Sequence, residues 1–214
     1  MIKVDYIQHM GDSKMVVNSA RVSFGGDNNN PLSERDEKLI KYLADHKHYS
    51  PFEHLSLTVK IECPLYIRSQ IHRHRTFAYN EISRRYTSKD MTFHVPDTFR
   101  KQSEYNKQAS YGALDEPEHT AVKVELEEFH QKSLELYESL LSMGVCKEQA
   151  RGVLVQNLNT EFYMSGNLRN WVHFINLRDH QDAQVEVQLI AKEVRDILID
   201  KFGISAKILL TKGE

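Results

Sequence analysis

"IHRHRTFAYNEISRRYT", residues 71–87, sets His72, Arg73, His74 and Arg75 side by side and closes on Arg84-Arg85. The chain around it balances 28 Lys and Arg against 30 Asp and Glu, a formal net charge of −2. A basic stretch this dense in a near-neutral chain either holds a discrete anion or is simply solvated. Cations at a helix end can serve only to complement the helix dipole. Here Phe77, Tyr79, Asn80-Glu81 and Ser83 interleave with the arginines, and a charge-only face has no need of them. Guanidinium forks chelate phosphate bidentately. A Ser hydroxyl and loop N–H groups add neutral donors, while Gln70 and Glu81 can read a base edge or sugar hydroxyls. The set suits a phosphorylated nucleotide.

A nucleic-acid track is a different matter. Such proteins draw affinity from phosphate neutralisation across the domain, and a sequence pI near 6.6 does not supply it. We therefore expect no nucleic acid as partner. We also expect no membrane association, because no apolar run approaches the length of a bilayer span. The N-terminal "MIKVDYIQHMGDSK" does not read as a signal peptide. Cys63 and Cys146 then read as free thiols in a reducing compartment, the cytoplasm.

The flanks are ordinary. Residues 2–8 alternate as a strand, and Asp12 or Ser13 caps a short helix ending near Ser23. Residues 25–31, "GGDNNNP", read as a loop, and Ser33 caps a helix through residue 46. Leu55, Leu57, Val59, Ile61 and Cys63 alternate toward Pro64 as a half-buried strand. Pro64 opens a helix expected to run through "LYIRSQIHRHR" to residue 75. Residues 76–118 read as irregular. A long helix at 119–143 carries Val122, Leu126, Phe129, Leu136 and Leu140 as its apolar stripe and stops at Gly144. A short helix (147–155), a strand (158–166) and helices at 167–178 and 182–202 complete the chain. With no repeat or linker, the expectation is one α+β domain over 1–214, helix-rich with a small antiparallel sheet.

The sequence has no GxGxxG, GxxxxGK[ST] or GxSxG pattern. Cys63 suits a core better than a nucleophile. The histidines at 46, 48, 54, 72 and 74 lack the spacing of a zinc site, and His72 and His74 on a helix point to different faces, so no metal is expected.

The longer pattern Q-x-x-RHR-x-x-x-x-NE-x-S-x-RY (Gln70 to Tyr86) resembles the signature of the flavin-dependent thymidylate synthases. "ARVSF" (20–24), "PFEH" (51–54), "QARGVL" (149–154), "NLRNWVHFINLR" (167–178) and "AQVEVQ" (183–188) extend the resemblance in order and spacing. It implies reductive methylation of dUMP to dTMP, with methylenetetrahydrofolate as carbon donor, NADPH as reductant and tightly bound FAD as hydride carrier. It also implies a homotetramer with active sites shared between subunits. Carried over where the motifs match, dUMP is held by Gln70, Ile71, His72, Arg73, Glu81, Ile82, Ser83, Arg84, Arg85 and Arg151. Arg178 lies against the uracil as the catalytic group that stabilises its N3-deprotonated form. FAD falls to Ser50, Arg73, His74, Arg75, Glu81, Asn167, Leu168, Arg169 and His173, with Ser23 and Glu53 as further candidates. His48 is placed at the entry of folate or nicotinamide.

Three positions depart from the family pattern: His173 for a more frequent Asn, Asp182 for His, and Ser50 for Thr. Trp171 and Phe174 read as helix core, and Arg169 alone could be a surface charge. Two other readings stay open. One is a nucleotide- or RNA-binding regulatory module built on the Arg, Phe77 and Tyr79 interleaving. The other is a member of the fold that keeps FAD and oxidises NADPH without methyl transfer.

Overall fold

The computed structural model describes residues 2–25, 30–107 and 109–211. In chain order the first elements are β1 (Lys3–Met10), α1 (Ser13–Arg21), α2 (Glu34–Asp45), β2 (Ser56–Pro64), α3 (Leu65–Ile71), β3 (Ala78–Glu81), β4 (Arg100–Gln102) and β5 (Ser110–Ala113). They are followed by α4 (Glu116–Ser142), α5 (Lys147–Ala150), β6 (Asn159–Asn167), α6 (Leu168–Arg178), α7 (Val185–Phe202) and α8 (Ile204–Leu210). The fold is the expected helix-rich α+β class with a small antiparallel sheet. Of the loop expected at 25–31, residues 26–29 lie outside the described residues.

Contacts divide the chain into two compact units. One comprises Glu62–Arg73 and Glu81–Phe162; the other comprises Lys3–Ile61, His74–Asn80 and the residues from Tyr163 on. The second unit is organised by the sheet, in the order β1-β2-β6-β3. Leu57, Val59 and Ile61 of β2 are fully buried, as the alternation requires. Trp171, also fully buried, donates its indole N–H to the Leu57 carbonyl at 3.1 Å, and so ties α6 to the sheet. Val187, Ile190 and Val194 of α7 are buried, while the stripe's Ile197 is half-buried and Leu198 takes the core position beside it. Gly203 makes the break after α7 at φ +54, a conformation side chains disfavour, and lets α8 fold back as an element the sequence reading did not foresee.

Caps fix the helix starts. The Asp12 carboxylate accepts from the N–H groups of Lys14 (2.9 Å) and Met15 (3.1 Å). Ser33 and Asp36 form a capping box on α2. Asp36 is 3% exposed and also receives Arg21 at 2.6 Å and Lys14 at 3.4 Å, which locks α1 to α2. The Ser33 N–H foremost, then the Ser33 hydroxyl and the two cations, hold its carboxyl well below the usual carboxylate range against the opposing effect of burial.

The other unit centres on Tyr137, Ala150, Leu154 and Leu158, with Leu65, Met91 and Phe93 packed against them. Three expectations are corrected in this part of the sequence. First, α3 stops at Ile71 rather than running to 75, so Arg73, His74 and Arg75 are not helical. The Tyr79 hydroxyl holds the His74 carbonyl at 2.8 Å, and Phe77 is drawn into an aromatic nest with Trp171 (ring centroids 4.6 Å); a continuing helix permits neither. Second, 76–118 contains strands. β4 and β5 pair antiparallel with a register shift between Arg100 and Lys101, and the Gln102 amide donates to the Ala109 carbonyl at 3.1 Å across the turn. Polar strands of three and four residues carry too little apolar alternation to be recognised in the sequence.

Third, the stripe assigned to the long helix forms only part of its core face: Leu140 packs against the buried cluster and Leu126 is half-buried. Val122, Phe129 and Leu136 are exposed, whereas α4 buries His130, Ser133 and Tyr137. The Ser133 hydroxyl is satisfied by the Val153 carbonyl at 2.9 Å, and His130 stacks on Phe93 at 4.9 Å and 15°. Among the described residues, no helix is long and apolar enough to cross a membrane.

Candidate active site

The Arg-rich loop builds a pocket of about 340 Å³ in the first unit. Glu81, Ile82, Ser83, Arg84 and Arg85 line one side, and Arg151, from the 3-10 turn after α5, lines another. Arg68 of α3 also lines it, as do Asn159 and Thr160 at the start of β6. Four guanidinium groups thus face one carboxylate. That carboxylate is already engaged: Glu81 lies 3.1 Å from Arg68 Nε and accepts from the Thr160 hydroxyl at 2.7 Å. Its local pairing leaves the pocket with an excess of positive charge.

The loop is locally self-supporting. The Ser83 hydroxyl accepts from the Arg85 N–H at 3.3 Å, and the Ser83 carbonyl receives the N–H groups of Tyr86 and Thr87 at 3.0 and 3.1 Å. Arg84 clamps the following turn through the Lys89 carbonyl at 2.6 Å, and burial lowers its pKa. Arg85 lies over the Tyr86 ring at 5.3 Å and is exposed, as is Arg151. Ile71 is fully buried, and half-buried His72 turns its ring edge-on to Phe162 at 4.9 Å, with its pKa lowered chiefly by burial. Neither lines the pocket, nor do half-buried Gln70 and exposed Arg73.

A second cavity, of about 510 Å³, lies in the other unit. The polar face of α6, Asn170, His173 and Asn176 at spacings of three, forms one wall with Arg169; Tyr49, Thr76 and Leu209 form others. Arg169 is not a loose surface charge. It pairs with Glu53 at 2.6 Å and sits over the Tyr49 ring at 5.0 Å. Asn167 caps α6 by accepting from the Asn170 N–H at 2.9 Å. Leu168 is fully buried and spends its N–H on the Leu55 carbonyl at 2.8 Å, so it acts as an anchor for the helix start. Ser50 and Arg75 are exposed and lie outside the lining, as do Ser23, His48 and Asp182. His48 instead belongs to a ring cluster with Tyr42 and His46.

The donor set fits a flavin dinucleotide. An arginine and a capped eleven-residue helix start can meet phosphates. The amides and His173 can meet a heterocycle's polar edge, and Tyr49, Val172 and Leu209 supply apolar walls. Near the other end of α6, Arg178 donates its Nε–H to His74 Nε2 at 2.9 Å. Trp171 and Phe174 are buried core residues, as expected.

Neither cysteine is an activated nucleophile. Cys63 is fully buried, and its thiol is pushed up to about 12 by burial first and then Glu81. Cys146 is exposed beside Gln149. Among the described residues, no group of three His, Cys, Asp or Glu side chains is placed to hold a metal. Sequence reasoning missed Thr160, Asn159, Tyr49 and the Asn170–Asn176 face. Only the last carried a signal, three polar residues at helical spacing amid apolar ones.

The chain matches the family model of the thymidylate synthase complementing protein over residues 5–202. It is 39% identical over 202 residues to the flavin-dependent thymidylate synthase of Thermus thermophilus, covering 94% of this chain and 73% of that protein. To the enzyme of the same name from Thermosipho africanus it is 37% identical, over 91% and 85% of the two chains. The crystal structure of the UMP/dUMP methylase PolB from Streptomyces cacaoi bound with 5-Br dUMP superposes with a TM-score of 0.89 at 27% identity, covering 99% and 95%. The chain belongs to the thymidylate synthase complementing protein family, the flavin-dependent thymidylate synthases.

Proposed function

We propose that this protein converts dUMP to dTMP, using methylenetetrahydrofolate as carbon donor, FAD as hydride carrier and NADPH as reductant. The observation that carries the reading is the pocket in which Arg68, Arg84, Arg85 and Arg151 gather around the Ser83 and Thr160 hydroxyls. Such a set recognises a phosphate monoester together with sugar or base hydrogen-bonding groups. Arg151, Arg84 and Arg85 take the phosphate, and Ser83 is a ligand group rather than a nucleophile. Glu81, held by Arg68 and Thr160, is positioned as an acceptor. Gln70, Ile71, His72 and Arg73 complete the proposed dUMP set, although they lie outside the pocket lining.

FAD is assigned to Arg169, Asn167, His173, Ser50, His74 and Arg75 of the second unit, with Leu168 as helix anchor. When bound, the flavin relays the two electrons that turn a transferred methylene into a methyl group. The chain's own contribution is charge placement. Arg178 supplies a fixed cation that stabilises negative charge on the uracil ring, so no cysteine adduct is needed. The buried Cys63 thiol, pushed up to about 12, is not prepared for such an adduct.

The chain is read as one catalytic domain over 1–214, assembling as a homotetramer with shared active sites. The exposed Val122, Phe129 and Leu136 of α4 are the surface an assembly would cover. Free cysteines fit a cytoplasmic setting.

The test is the visible spectrum of FAD-loaded protein under anaerobic NADPH. Bleaching followed by recovery only with both dUMP and methylenetetrahydrofolate supports the reading. Loss of the flavin with salt-sensitive binding of single-stranded RNA would replace it with the regulatory module. Bleaching with no dTMP formed would make the chain an NADPH oxidase of the same fold.

A further inference from the structure

We infer that His74 is the positioning residue of Arg178: a neutral imidazole, protonated at Nδ1, whose bare Nε2 fixes the guanidinium plane for the uracil anion. The inference rests on the proposed role of Arg178 and adds a requirement to it. A guanidinium has donors only and is charged at every accessible pH. The 2.9 Å contact from Arg178 Nε to His74 Nε2 therefore demands an unprotonated Nε2. The tautomer follows from the partner.

Everything around the ring favours that state. His74 is 9% exposed and packs against Phe174 at 4.9 Å and 72°. Its backbone is fixed by the Tyr79 hydroxyl, whose own pKa is pushed up to about 12 by burial, so it remains a donor. The charged or titratable groups facing the imidazole are Arg178 and His173, both on α6. Neither compensates an imidazolium. Burial first, then Arg178, then His173, hold its pKa down to about 4. Arg178 is itself stripped of water enough to lower its pKa, so an acceptor at Nε matters to it. The second position of the Arg-His-Arg triplet thus orients a charge presented from the C-terminal end of α6.

Uniform ¹⁵N-histidine labelling of the flavin-free protein tests the tautomer directly. A pyridine-type Nε2 and pyrrole-type Nδ1 for His74, persisting from neutral pH into mild acid, are expected. The reverse tautomer, or a charged ring at neutral pH, overturns the inference. Kinetics of the loaded enzyme supply the second arm. His74→Gln, which offers a carbonyl acceptor near the Nε2 position, loses clearly less kcat than His74→Phe does. His74→Phe, which loses a hydrogen bond to a charged group, lowers kcat about 10- to 100-fold. In an Arg178→Ala background, His74→Phe lowers kcat by a much smaller factor than it does alone. Independent, multiplicative losses in that double variant overturn the inference while leaving the role of Arg178 standing. If Arg178→Ala alone leaves dUMP turnover unchanged, the role assigned to Arg178 fails, and the inference with it.

Discussion

Gly166 of β6 lies where a side chain has no room. A Cβ there would fall 2.4 Å from Cδ1 and 2.5 Å from Cε1 of Phe77. Gly166→Ala therefore requires the ring to retreat by about 1 Å, and its neighbours oppose that. Phe77 is 9% exposed and packs edge-on against Trp171 at 4.6 Å and Phe174 at 6.3 Å. Overpacking of this kind costs about 1–3 kcal/mol. Alanine restricts the unfolded chain and returns about 0.4–1 kcal/mol. The net expectation is about 1–2 kcal/mol of destabilisation, or roughly 2–8 °C in Tm for a chain of this size. Thermal and urea unfolding measure it, with Phe77→Leu as the second edge of a double-mutant cycle. In the Gly166→Ala background the smaller side chain should cost less than it does alone, with about 1 kcal/mol of coupling. Stability of Gly166→Ala equal to or above that of the parent, or strict additivity, would refute the reasoning. The functional consequence is local: Phe77 follows His74 by three residues, so a displaced ring should also lower kcat.

Other expectations can be checked with less. Arg68→Met leaves Glu81 with the Thr160 hydroxyl alone and should raise the KM for dUMP at least about tenfold, with kcat changed less. Acid stability should fall in two windows. His74 is neutral when folded, so stability is full above its ordinary 6.5 and declines as pH drops toward about 4. Asp36 is ionised when folded, so its contribution is present above the usual carboxylate range and is lost below it; Asp36→Asn removes that second window in acid titrations followed by circular dichroism. If the proposed assembly covers the exposed face of α4, Phe129→Lys should shift the protein toward smaller species by light scattering, with the circular dichroism unchanged.

Elements whose signals are local were legible in the sequence. Ser33 with Asp36 three residues on, the alternation from Leu55 to Cys63, and Gly144 behind a long helix each carry their own physical cause. The site was legible as a motif and less so as geometry. Residues 81–85 and Arg151 do meet in one pocket. Their partners Arg68 and Thr160 come from α3 and β6, brought there by sheet order rather than by sequence proximity. Leu168 and Ile71 matched by position, yet both have buried side chains, because a motif marks the helix start and not the atom that reaches a ligand. The α4 stripe held only in part, at Leu126 and Leu140, for a related reason. Periodicity reveals an apolar face but not what covers it, and the core chose Tyr137 and His130 instead.

The most direct test of the central claim follows the carbon. Purified protein is loaded with FAD and given dUMP, NADPH and methylenetetrahydrofolate labelled in its methylene carbon, and the nucleotides are separated. Label is expected in the 5-methyl of dTMP, one per NADPH consumed, and none when dUMP is withheld. NADPH consumption with unlabelled nucleotide would contradict it.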